Sequence, residues 1–252
     1  MKTKKDIIEL AMQQCAIDLN CNAADFKKDK NIIVMPKNLD GRRYFISGEF
    51  FFRMVTFGRN AVISADEKVQ PWLREYIKDK TGHELFEEPH QRVIDSELIK
   101  YNKPLWSTTH SYLPNMDAIS VKQISDVKWF EQDDILPLYE DDRFHNAIQY
   151  KIKPNRPDVL VVASYDNGEI TGMAGASADS QMLWQIGIDV LLNHRSEGLG
   201  TYLVTLLKNE IIKRSYIPYY STSQSNIYSQ NIARNTGFFP AWVEAYSTEP
   251  KQ

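Results

Sequence analysis

Cysteine is nearly absent from this chain: of 252 residues only Cys15 and Cys21 carry a thiol, and no His or Cys cluster lies near them to complete a metal site. Cys15 falls on the apolar stripe Ile8, Ala11, Met12, Cys15 and Leu19, which predicts a buried small hydrophobe in a reducing cytoplasm. Long apolar runs are missing too. None approaches the ~18 residues of a membrane-spanning helix, and the lysines at 2, 4 and 5 lead into an amphipathic segment with Asp6 and Glu9, not into a signal-peptide core. Positive charge is not in excess, since the formal net charge is -3, so nucleic acid has no electrostatic footprint to meet. A nucleophile elbow and a Ser-His-Asp signature are absent, and His83, His90, His110 and His145 are scattered without metal-ligand spacing.

What is present is an ordinary soluble composition, 42% hydrophobic and 25% charged, long enough for one large domain or two small ones. Residues 5 to 19 have the periodicity of a helix. Aromatic and β-branched runs at Arg43–Ser47, Glu49–Phe57 and Ala61–Ser64, punctuated by Asp40-Gly41, Gly48 and Gly58, predict a small meander. A helix is expected from about Glu67 to Lys80, with its N-cap among Ser64–Asp66 and its stop at Thr81-Gly82, then a short helix near Ile94–Tyr101 and an irregular stretch to 115. The boundary between an N-terminal part (1–115) and a C-terminal part (116–252) is placed near Pro114-Asn115. Beyond it the pattern predicts a helix pair over Ile124–Tyr150 broken at Pro137. A hairpin Asp158–Ser177 turns at Asp166-Asn167-Gly168, and a third strand runs over Met182–Val190.

The stretch Asp189–Phe238 is the most informative. Arg195-Ser196-Glu197-Gly198-Leu199-Gly200 runs directly into the helical pattern Tyr202, Leu203, Leu206, Leu207, Ile211. Glycine there lets backbone come close to a ligand, and a helix start turns unpaired N–H groups and partial positive charge outward, which makes an anion site. The P-loop would need a Gly-Lys-Ser/Thr triplet and the dinucleotide fingerprint a third glycine and a later acidic residue; neither is present.

An arginine, two free positions, Gly, one position, Gly resembles the pyrophosphate loop of the GNAT (general N-acetyltransferase) superfamily. Asn226, Ser229, Ile232 and Thr236-Gly237-Phe238 resemble that family's second signature, in the right order and about 30 residues on. The resemblance covers roughly residues 118 to 248. It implies an α/β (α+β) fold with a mixed, mostly antiparallel sheet flanked by helices. The N-terminal part would be an additional α/β part that could be a degenerate GNAT-like half, as in two-part GNAT proteins of Gram-positive bacteria. Acetyl-CoA is the implied cosubstrate, held by Ile188, Val190, Arg195, Ser196, Glu197, Gly198, Leu199, Gly200, Thr201, Asn226 and Ser229, with a backbone amide of the strand ending at Val190 polarising the thioester carbonyl. Glu197 departs from the family's neutral or basic preference, so its side chain is expected to face solvent while its N–H binds.

In the family a tyrosine four residues before the Gly of Gly-Phe often supplies a proton to the leaving thiolate; here that position is Ala233. Tyr228, Tyr220 and Tyr246 are the candidates to replace it, with Tyr228 preferred, and Asp189 is the expected base ahead of His194. The carboxylates Asp133, Asp134, Glu140, Asp141 and Asp142 fit either a solvated face or a cleft for a cationic amine. The expectation is a cytoplasmic N-acetyltransferase of a small-molecule amine, monomer or homodimer, without metal, nucleic acid or membrane partners. The alternative is a silent acyl-CoA-binding sensor or scaffold, favoured by Ala233 and Glu197.

Overall fold

The computed structural model describes residues 2–44 and 50–248, and the part of the expected meander that falls on 45–49 lies outside them. In chain order the elements are α1 (Lys4–Leu19), β1 (Ile32–Val34), β2 (Phe52–Thr56), β3 (Ala61–Ala65), α2 (Gln70–Ile77), α3 (Glu88–Ile99), β4 (Leu105–Pro114) and β5 (Asp126–Glu131). Then follow β6 (Asp158–Asp166), β7 (Glu169–Ala178), β8 (Leu183–Val190), α4 (Leu199–Lys213), β9 (Ile217–Ser223), α5 (Ile227–Asn235) and β10 (Phe238–Ser247). This is a mixed α/β fold, its sheet mostly antiparallel and flanked by helices. The chain forms two compact units. One takes in residues up to Ile7, Tyr112–Thr222 and Asn226–Pro240; the other takes in Ile8–Ser111, Ser223–Ser225 and residues from Ala241.

In the first unit β5, β6, β7 and β8 are antiparallel neighbours, β9 lies parallel beside β8, and the end of β4 follows β9. The β6–β7 turn needs two residues at positive φ, and Asn167 (φ 49°) and Gly168 (φ 87°) supply them, the chemistry of a tight hairpin. One face of this sheet buries Leu160, Val162, Ala174, Ala176 and Ile186 against Leu199, Tyr202, Leu203, Leu207 and Ile211, the apolar stripe of α4. The opposite face buries Val161, Ala163 and Met173 under Ile135, Leu138, Phe144, Ala147 and Ile148.

The residues 132–148 that cover this second face do not form the expected helix pair. Val127, Trp129 and Phe130 belong to strand β5, and the cover consists of 3-10 turns at Gln132–Glu140 and Asp142–Phe144. Pro137 removes a backbone donor in the middle of the first turn, and Val127, Trp129 and Phe130 favour extended backbone in β5. Asp141 accepts from the Arg143 N–H at 3.1 Å and pairs with its guanidinium at 2.6 Å, so part of the acidic patch is spent on local structure.

In the second unit β1 is parallel to β3, β3 antiparallel to β2, and β2 antiparallel to β10 with Val243 opposite Thr56. Their apolar faces pack on Val69, Leu73 and Ile77 of α2 and on Ile94 and Leu98 of α3. Two expectations change here. The cap of α2 is Val69, not Ser64–Asp66, because Pro71 sits in its first turn; and the stretch read as irregular contains β4, its ends obscured in sequence by Pro104 and Pro114.

This unit also buries a four-charge cluster. Arg43 Nε donates to Asp18 Oδ2 at 2.6 Å, Arg53 Nε donates to Glu244 Oε2 at 3.1 Å, and Arg53 Nη2 reaches Asp18 Oδ2 at 3.3 Å. Trp242 Nε1 donates to Glu244 Oε1 at 3.3 Å and Gln14 Nε2 to Asp18 Oδ1 at 2.9 Å, so the charges are paired and further hydrogen-bonded. Cys15 is buried beside them, as its place on the α1 stripe predicts. Among the described residues no helix is long and apolar enough to cross a membrane.

Burial alone would raise the Glu244 carboxyl, but Arg43 and Arg53 more than offset it and hold its pKa at about 2. A folded pKa below the unfolded value contributes stability that is complete above the unfolded pKa, near 4.5, and is lost as pH falls through about 2. Glu244→Gln should therefore cost ~3–5 kcal/mol in urea denaturation at pH 7, the penalty of leaving buried arginines underpaired. The gap to wild type should narrow steadily between pH 5 and pH 2.

Candidate active site

β8 pairs with β7 along Trp184–Val190, but its register with β9 runs only from Leu183 opposite Ile217 to Ile186 opposite Tyr220. Beyond that pair the two parallel strands part, and among the described residues no strand pairs with this edge of Gly187–Val190. Ile188 and Val190, named from the sequence as backbone contacts, stand at this opening and are half-buried.

The opening leads to the glycine loop. Leu192–His194 makes a 3-10 turn, and Arg195 Nε donates to the carbonyl of Val190 at 2.9 Å, closing the loop against the strand end. Ser196 (φ 67°) and Gly198 (φ 82°) both take left-handed backbone, and Gly198 is the N-cap of α4. Alternation of right- and left-handed residues gathers successive N–H groups into a concave nest, and the first N–H groups of α4 have no partner within the helix. A Cβ on Gly198 would meet nothing within 4 Å, so the surface there is open for a ligand. Gly200 answers a different need: a Cβ there would lie 3.0 Å from Ile232 Cδ1 and 3.6 Å from Val190 Cγ2, the close packing of α4 on α5 and β8. Leu199 is buried in the core, and Thr201 follows in the first helical turn. The exposed Glu197 lines, with His194, Asp126, Tyr165, Asp166 and Thr171, a cavity of about 360 Å³ beside the loop.

On α5 the Asn226 side chain accepts from the Ser229 N–H at 3.1 Å and so caps the helix. Ser229 Oγ lies 2.7 Å from the Tyr220 hydroxyl. Tyr220 is 2% exposed, and burial pushes its phenol up to about 12 although the Ser229 hydrogen bond pulls the other way. Tyr228 sits one residue into the same helix and is 86% exposed, while Ala233 is fully buried in the core.

Asp189 has three partners on the covering segment: the N–H groups of Asn146 at 2.7 Å and Ala147 at 3.0 Å, and the Asn146 amide at 2.7 Å. Gln185 likewise accepts from Arg156 and, at 3.3 Å, from Tyr219, in a network anchored by Asp179. The resemblance placed the segment 124–150 beside the acceptor cleft, but sequence reasoning missed the direct packing of 144–148 on the sheet and on Asp189. The available signal was glycine inside a strand, which marks close backbone approach: a Cβ on Gly187 would lie 1.8 Å from the Asn146 carbonyl oxygen, and one on Gly175 2.3 Å from that of Ala147. Among the described residues no group of three His, Cys, Asp or Glu could hold a metal ion.

Gly187→Ala forces backbone from backbone and should destabilise by at least ~1–3 kcal/mol, the usual range for overpacking. Gly172→Ala, whose Cβ would meet leucine methyls at 3.1 and 3.2 Å and the Asp189 carbonyl oxygen at an ordinary contact distance of 3.4 Å, should cost less. Urea denaturation of both variants measures the difference.

Residues 121–238, just under half of the chain, match the model of the Acetyltransferase (GNAT) family. No curated protein matches the sequence. Among solved structures, an acetyltransferase from the GNAT family of Colwellia psychrerythraea is 10% identical with a TM-score of 0.46, over 98% of this chain and 97% of that one. A putative GNAT-family acetyltransferase from Novosphingobium aromaticivorans is 12% identical with a TM-score of 0.46, over 60% and 69%. A GCN5-related N-acetyltransferase-like protein from Streptococcus suis is 15% identical with a TM-score of 0.45, over 64% and 68%. The family match supports the GNAT acetyltransferase superfamily for residues 121–238, the stretch that contains the parted strands, the glycine loop and α5.

Proposed function

We propose that the chain is an acetyl-CoA-dependent N-acetyltransferase of a small-molecule amine, transferring directly in a ternary complex. The observation that carries this reading is the parting of β8 from β9 after Ile186 and Tyr220, beside a loop whose Ser196 and Gly198 turn backbone N–H groups outward. An extended thioester arm fits an unpaired strand edge because it brings its own amide donors and acceptors, and a pyrophosphate fits the N-terminus of α4. Arg195, Ser196, Glu197, Gly198, Leu199, Gly200 and Thr201 form the phosphate cradle in this reading, Ile188 and Val190 line the arm, and Asn226 and Ser229 flank it from α5.

Asp189 acts in this reading as the residue that holds Asn146 and Ala147 over the sheet, since its oxygens already accept three hydrogen bonds. Tyr228 faces outward from the first turn of α5. The acetyl group is attacked by the free amine, and the site's contribution is orientation and hydrogen-bond donors aimed at the thioester carbonyl. A second reading, a binding protein that holds acetyl-CoA without transferring, draws on the buried Ala233, which offers no acid.

Titration calorimetry with acetyl-CoA tests the cradle. Gly198→Val places a branched side chain in the open space of the nest and should weaken binding ~10-fold or more, a loss of about 1.4 kcal/mol. Thermal unfolding run in parallel registers the separate cost of β-branching at positive φ. Equal affinity in both proteins would refute the cradle. Thiol release with a panel of polyamines, aminoglycosides and amino acids separates the two readings, because a binding protein would titrate acetyl-CoA yet release no thiol with any of them.

A further inference from the structure

Lys208, in the second half of α4, is 0% exposed, and among the described residues its Nζ has no hydrogen-bond partner. An amine buried without an acceptor is costly, and more so when it carries charge. What covers it is the connection between β4 and β5, residues 115–119. The Asn115 N–H donates to the Gly237 carbonyl at 2.8 Å, and Asn209, the next residue of α4, donates its amide to the Ile119 carbonyl at 2.8 Å and accepts from the Ile119 N–H at 3.3 Å. A Cβ on Gly237 (φ 79°) would lie 2.8 Å from Ile119 Cδ1 and 3.5 Å from Lys208 Nζ, so this connection and the lysine close on the same point of the α5–β10 corner. The carbonyls at the end of α5 are already taken: Ile232 and Ala233 accept from Thr236, and Arg234 accepts from the Gly237 N–H. Asp117, exposed on the connection, is the carboxylate that acts on the lysine, without reaching hydrogen-bond distance. Glu210 of α4 is committed to Lys213 and Arg214, and α5 carries the like charge of Arg234.

We propose that residues 115–119 form a strap whose closure is opposed by the charge on the buried Lys208, so that the β4–β5 connection is tight when the amine is neutral and loose when it is protonated. The strap lies over the half of α4 away from the glycine loop, and the inference does not depend on the acetyltransferase reading. Desolvation drives it. With the strap shut the amine has Ile119 and a satisfied helix end around it; with the strap open the ammonium gains water. Burial pushes the amine down to about 8, although Asp117 pulls it up. A lysine whose pKa falls on closure opposes closure fully below about 8, progressively less as pH rises, and no longer above its ordinary value of 10.5. Neutral pH therefore finds the strap at its loosest, held by the hydrogen bonds of Asn115 and Asn209 and by the packing of Ile119.

Amide hydrogen exchange of the full chain at pH 7 reads the strap at the Asn115 and Ile119 N–H groups. In wild type both should exchange well before the amides of β6 and β7, through local opening. Lys208→Met keeps an apolar side chain and removes the charge. It should slow exchange at both positions by ~100-fold, with ~300-fold the ceiling set by a fall from 10.5 to about 8. Asn209→Ala keeps the lysine and removes two fastenings, so strap exchange should quicken ~10-fold or more, and acetic anhydride should modify Lys208 faster, as mapped by mass spectrometry. In urea denaturation the advantage of Lys208→Met in folding constant should shrink as pH rises from 8 to 10.5. A gap that does not change with pH assigns the gain to methionine packing and overturns the role of the charge. Strap amides that exchange together with β6 and β7 in wild type, or at the wild-type rate in Lys208→Met, overturn the strap.

Discussion

A strand inside a fold has two edges to satisfy, and β8 satisfies one of them fully and the other only in part. Its bonds to β7 continue to Val190, whereas its register with β9 ends at Ile186. Unpaired backbone donors and acceptors next to apolar side chains must find water or a ligand. Most of the surrounding architecture keeps that edge open. α4 starts where β8 ends, Arg195 ties the intervening loop to the Val190 carbonyl, and Gly200 lets α4 and α5 close together on Val190. The loop can then turn its N–H groups outward because Ser196 and Gly198 adopt left-handed backbone.

The second face of the same strand is handled in the opposite way. Gly187 and Gly175 remove two side chains so that the carbonyls of Asn146 and Ala147 can lie directly on the sheet. Asp189 then binds the N–H groups of those same residues. A covering segment built from 3-10 turns has little internal hydrogen bonding of its own, and a carboxylate accepting from its backbone replaces what a helix would have provided. One strand thus carries an open edge, a bare glycine and an anchoring carboxylate within four residues.

The second unit solves a different problem. Two arginines and two carboxylates buried together cost much in desolvation and are tolerated because each charge meets an opposite one and further donors fill the remaining lone pairs. The cluster joins α1, the loop residue Arg43, β2 and β10, so elements far apart in sequence are fixed in one register. An apolar core of the same volume would not discriminate registers so sharply, since hydrophobic contact is non-directional.

Much of the fold was legible in the chain because its signals are local. The Asn167-Gly168 turn, the apolar run of the β6–β7 hairpin, the stripe of α4 and the glycine pair at 198 and 200 depend on neighbours within a few residues. The Arg-x-x-Gly-x-Gly stretch and the Asn226 to Phe238 stretch likewise pointed to an anion-binding helix start and a capped helix, and both elements are present. The residues from 124 to 150 were not legible: Pro137 and the short aromatic run allow a helix or a strand, and only pairing with β6 selects β5. The same holds for β4, whose polar and aromatic residues read as irregular until neighbouring strands supply hydrogen bonds. By itself the sequence determined where the backbone could turn left-handed and which faces were apolar, because both are properties of single residues and their periodicity. Tertiary structure alone decided that β8 and β9 part after Ile186 and that Tyr220 meets Ser229, because strand separation and hydroxyl pairing depend on contacts between segments that local chemistry leaves free.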